Sequence, residues 1–90
     1  MTSFEDLASR VDAQLSTHRR ELEELIRIPS VSADSFDQSQ LTRSAEAVAE
    51  LARARGLDAE VIQLHTASGL VGRPAILAHR EAQPGQPTVL

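Results

Sequence analysis

The residues best suited to binding a metal or moving a proton are three histidines, His18, His65 and His79. His18 stands in line with Leu15 and Leu22, so it reads as an edge-of-core histidine of a helix rather than a ligand. His65 and His79 each lie near the end of a predicted strand, and a hairpin would bring them together. Two histidines with no third ligand in register still make a poor zinc site, because zinc takes three or four protein ligands. There is no cysteine, so thiolate ligation and disulfides are both excluded. The carboxylates Glu21, Glu23, Glu24, Glu46 and Glu50 fall on solvated helix faces, and no pair is singled out for general acid–base work. Ser30, Ser32 and Ser68 lack the Gly-x-Ser-x-Gly setting of an activated nucleophile. Gly69-Leu70-Val71-Gly72-Arg73 lacks the Gly-Lys-Ser/Thr ending and the following helix of a phosphate-binding loop. From the residues alone, no catalytic, cofactor-binding or metal-binding position is assigned.

The elements that would position such residues are legible. Ser3 is an N-cap and Asp6 completes a capping-box-like arrangement, with Glu5 and Asp6 on the positive end of the helix dipole. Apolar residues then recur at Phe4, Leu7, Val11, Leu15, Leu22, Leu25 and Ile26, with His18 filling the gap. The opposite face carries Arg19–Glu23 and Arg20–Glu24 pairs at helical spacing. Pro29 ends this amphipathic helix, because the residue before a proline is pushed out of the α region. The helix is expected over about 3–28 and a polar, turn-rich connection over 29–37, with Phe36 anchoring it against the core. A second helix is expected over about 38–55. Its stripe is Leu41, Ala45, Val48 and Leu51 or Ala52, and its alanines allow a close neighbour. Gly56 sits at its C′ position, with Arg53 and Arg55 complementing the negative dipole end.

After Gly56 the period changes from helical to alternating. Strands are expected over about 57–64, 75–80 and 87–90, with turn material at 66–69, at Gly72-Arg73-Pro74 and at 81–87. The fold class is α/β: two amphipathic helices followed by the first strands of a mixed sheet. Residues 1–90 read as one unit, the start of an α/β domain whose last strand has only begun at Thr88-Val89-Leu90.

Composition narrows the function classes. The chain is 41% hydrophobic and almost entirely aliphatic, with two phenylalanines and no tryptophan or tyrosine, so its core must be built from small units. The net charge of −4 and the scattered arginines exclude a basic stripe for nucleic acid. No apolar run approaches the roughly 20 residues of a membrane span. The acidic start at Glu5-Asp6 lacks the pattern of a signal peptide, so a cytoplasmic location is expected.

Taken in order, the segments carry a resemblance. Leu25-Ile26-Arg27-Ile28-Pro29-Ser30-Val31-Ser32 resembles the opening signature of the co-catalytic zinc metallopeptidases and amidohydrolases. That family includes acetylornithine deacetylase, succinyl-diaminopimelate desuccinylase, aminoacylase, carnosinase-type dipeptidases and glutamate carboxypeptidase. Ala45–Leu51 with Gly56–Val61 looks like the family's second helix and first strand. Arg73–Ala78 looks like its second strand, and Gly85–Leu90 like the run-in to its third. The likeness extends over nearly the whole chain and is closest to the dipeptidase and carboxypeptidase branches.

The resemblance implies a hydrolase that cleaves peptide or amide bonds with two zinc ions. One metal would polarise the carbonyl while both lower the pKa of a bridging water. In the family a His-x-Asp motif follows the third strand within a few residues, and the general base and other ligands come much later. None of those positions falls within residues 1–90, so no catalytic residue carries over and the chain is not expected to be active alone. The implied partners are the rest of the catalytic domain and a peptide or N-acyl amino acid substrate, with a homodimer also considered; neither nucleic acid nor membrane is expected. The competing reading is a small non-catalytic α/β module that uses the apolar face of its first helix to bind a partner.

Overall fold

The computed structural model describes residues 3–90. Its elements follow the order helix α1 (Phe4–Ile26), helix α2 (Ser39–Ala54), strand β1 (Asp58–His65) and strand β2 (Val71–His79). The α/β class is as the sequence predicts. At the start of α1, the Asp6 N–H donates to Ser3 Oγ at 3.1 Å and the Ser3 N–H donates to Asp6 Oδ2 at 3.4 Å, so the capping box is formed. The helix stops at Ile26 rather than at residue 28. Arg27 caps it, and the Ile28 N–H turns to Leu25 O at 3.1 Å ahead of the proline.

The true cap of α2 is Asp37, whose Oδ1 accepts from the Ser39 N–H at 3.0 Å and from Ser39 Oγ at 2.7 Å. Its other end closes as a Schellman motif. Gly56 takes φ +83°, its N–H donates to Arg53 O, and the Leu57 N–H donates to Ala52 O. Arg55 reaches back to Leu51 O, one of the carbonyls that the helix leaves unpaired.

The strands form one antiparallel ribbon in which Asp58 pairs with His79, Glu60 with Leu77, Ile62 with Ala75 and Gln63 with Pro74. Two expectations are corrected here. Gly72-Arg73-Pro74 is not a turn: β2 begins at Val71 and runs through it. Gly72 makes this feasible, because a Cβ there would lie 3.0 Å from Leu64 O beside an irregularity in the ladder. Pro74 is tolerated because β2 lies on a sheet edge. Residues 87–90 form no strand, and the two strands present pair antiparallel. A strand exists only through its ladder, and Thr88–Leu90 has no partner strand among the described residues.

Helix α2 lies across one face of the ribbon, and the close contact is made by Ala45 and Ala49, the buried apolar residues. Ala49 is fully buried, so the helix presents its small-residue face to the sheet, while Val48 stays 37% exposed. Arg53 ties the two layers by donating to Ala59 O from Nε (3.1 Å) and Nη2 (2.8 Å), and its Nη1 meets Glu50 Oε1 at 2.6 Å. Helix α1 meets this body with an ion pair between Glu21 and Arg55, and its Thr17 and Leu25 are half-buried. The predicted Arg19–Glu23 pair closes at 3.2 Å, whereas Arg20 and Glu24 form none.

The result is extended. The radius of gyration is 16.9 Å, against about 12 Å for a compact chain of this length. The accessible surface is 7613 Å², against about 5200 Å² for a compact protein of this mass. No helix among the described residues is long and apolar enough to cross a membrane.

Candidate functional site

The ribbon separates the two strand histidines. His65 ends β1 beside the 66–70 turn, while His79 ends β2 at the opposite end, across from Asp58. Seven residues of strand lie between those ends, about 23 Å at the usual rise. The expectation that a hairpin unites them fails because an antiparallel turn joins the end of one strand to the start of the next. His79 Nε2 instead stands 4.0 Å from Asp58 Oδ2, with both side chains largely exposed. His18 is exposed on α1, beside a shallow depression formed with Gln14, Thr17, Ala54 and Arg55. No three His, Asp or Glu side chains come together to hold a metal among the described residues. The donor set needed for a zinc centre is therefore not assembled by residues 3–90, and no catalytic step follows from them.

Ser30, Ser32 and Ser68 lie in turns and connections. Ser68 lies in the turn where Thr66 Oγ1 accepts from the Leu70 N–H and meets Ser68 Oγ at 3.0 Å. Ser30 and Ser32 lie on the connection that leaves α1, where the Ser30 N–H donates to Ile28 O at 2.8 Å. Phe36 does not anchor that connection, being 53% exposed.

Arg73 holds the connection instead. Its guanidinium donates to Ser32 O from Nε (3.2 Å) and Nη2, and Nη2 also meets Asp34 Oδ1 at 2.9 Å. Gln38 adds bonds from Nε2 to Ala33 O and Phe36 O. Between this loop, the start of α2 and β2 lies a cleft of about 290 Å³ whose polar lining includes Asp34, Gln38, Thr42, Gln63 and Arg73. Gln63 Nε2 bonds Gly72 O across its floor.

The chemistry of this cleft is positional. Arg73 is occupied by the Ser32 carbonyl and the Asp34 carboxylate, and that carboxylate is in turn held in the ion pair. Asp37 nearby is held below its ordinary pKa by the Ser39 hydroxyl, then by the Ser39 N–H and the Gln40 side chain, so it remains an anionic cap. What the site fixes is the path of Pro29–Asp37 over the sheet. Sequence reasoning missed Arg73 and Asp34 because an arginine after Gly72 and an aspartate in a polar loop look like ordinary surface residues.

Comparison with family models, with curated proteins and with solved structures finds no match to this chain.

Proposed function

We propose that this chain is the amino-terminal scaffold of a co-catalytic di-zinc hydrolase that cleaves peptide or amide bonds, cytoplasmic and inactive by itself. The observation that carries the reading is the order of the resembling segments. Leu25–Ser32, Ala45–Leu51, Gly56–Val61 and Arg73–Ala78 fall in turn on a helix end with its proline stop, a second helix, a first strand and a second strand. The loop of the first segment is bonded directly to the strand of the last through Arg73. Support also comes from what is left uncovered. Apolar Leu64 and Leu77 are more than half exposed, and the ribbon has two open edges. In this reading those surfaces meet the rest of a catalytic domain, which supplies both zinc ions' ligands, the general base and the contacts to a peptide or N-acyl amino acid.

The test is the coding sequence that follows the Leu90 codon. The proposal expects an in-frame continuation that reaches a His-x-Asp within a short stretch, and a continuation without that motif would refute it. A second reading, a non-catalytic interaction module, is favoured by one observation: the apolar stripe of α1 is open from Phe4 to Leu22.

A further inference from the structure

We infer that α1 is a self-pairing helix, and that two copies of this chain associate through an antiparallel pair of α1 helices with the two-fold axis beside Leu15 and Ser16. The inference does not rest on the hydrolase proposal.

The seam has a regular spacing. Phe4, Leu7 and Val11 recur eleven residues later as Leu15, His18 and Leu22. An eleven-residue repeat stays on one face of a nearly straight helix, because it lags the ideal helix by only about 20° per repeat. The five apolar members are 52 to 84% exposed. Helix α2 approaches α1 beside this seam, where Arg55 pairs with Glu21 and lies with Ala54 near His18, and the five apolar members stay exposed.

Charge selects the occupant and the register. At helical spacing, Asp12 and Arg19 flank the seam on one side, and Arg10 and Glu21 flank it on the other. In an antiparallel pair, like flanks meet. With the axis beside Leu15 and Ser16, Asp12 falls opposite Arg19 of the second copy. The same register sets Arg10 opposite Glu21 of the second copy, where it joins the Glu21–Arg55 pair. One register therefore satisfies both sides, and the symmetry repeats each contact. A parallel pair would stack His18 on His18 and align the two helix dipoles unfavourably. The whole chain exposes roughly 2400 Å² more than a compact one, and a stable interface needs about 800 Å² from each partner.

The test is sedimentation of the full 90-residue chain across the micromolar range, with helicity followed in parallel. The expected result is a reversible dimer that Leu15→Glu converts to monomer with its helix content unchanged, since Leu15 is 60% exposed in the single chain. Asp12→Arg should weaken dimerisation about tenfold by setting arginine against Arg19, and D12R/R19D should restore it. Because the chain has no cysteine, Ala8→Cys reports direction cleanly. An antiparallel pair keeps the two residues far apart, and a disulfide between copies would mean parallel pairing and overturn the inference. A monomer at every concentration would also overturn it. So would association that survives Leu15→Glu, as pairing through the open sheet edges would.

Discussion

Gly72 and Asp37 show how single residues decide the local path of this chain. Gly72 lets β2 pass close to Leu64, and the atom a Cβ would meet, at 3.0 Å, is backbone oxygen that cannot swing aside. Gly72→Ala should therefore destabilise the chain by about 1 kcal/mol or more, as read from a denaturant midpoint shift. Asp37 makes a pH prediction. Its pKa is lowered by hydrogen bonds to the carboxylate, so the stability it contributes is present above the ordinary value of about 3.9. That stability is lost as pH falls through the depressed value. The Ser39 and Gln40 amide resonances should report fraying of α2 on acidification, and Asp37→Asn should flatten that dependence. The capping box at Ser3 is readable because it is a pattern of four consecutive residues, Ser3 to Asp6. Asp37 was passed over because Gln38 and the polar run before it blurred the boundary. Arg73 was unreadable, since its partners Ser32 and Asp34 lie about forty residues away and only the fold brings them near.

At the scale of elements, α2 and α1 are opposites. Helix α2 is locked to the ribbon through alanines that leave no room, so Ala49→Leu should overpack the layer and cost about 1–3 kcal/mol. A change of the same size on α1, Val11→Glu, removes an apolar side chain that is 57% exposed and should leave the stability of the single chain within about 0.5 kcal/mol. Thermal or denaturant unfolding of both variants, at concentrations where the chain is monomeric, checks the contrast. Both helices were legible to within two residues at each end, because long periodic stripes with caps are strong local signals. The strands were harder. Gly72-Arg73-Pro74 carries turn residues, and only the ladder that sets Pro74 opposite Gln63 and Val71 opposite His65 makes it strand. Thr88–Leu90 carries strand residues and has no ladder. Pairing is a long-range property, which local composition does not encode.

For the whole molecule the governing fact is how little is buried. A core whose buried apolar residues, among those described, are Ala45 and Ala49 offers small hydrophobic stabilisation, and the extended surface agrees with it. The isolated chain at concentrations below dimerisation should therefore unfold broadly and below the ~45–65 °C range of ordinary mesophilic domains. A sharp transition well above that range would count against an incomplete core. The proposal holds that residues 1–90 provide scaffold and that the zinc ligands belong elsewhere in the hydrolase. His65 and His79 at opposite ends of the ribbon are the physical basis for that claim. The most direct measurement is zinc stoichiometry and affinity of the purified 90-residue chain, by titration calorimetry with metal content measured after dialysis. The account predicts no tightly held zinc, and two zinc ions bound tightly per chain would contradict it.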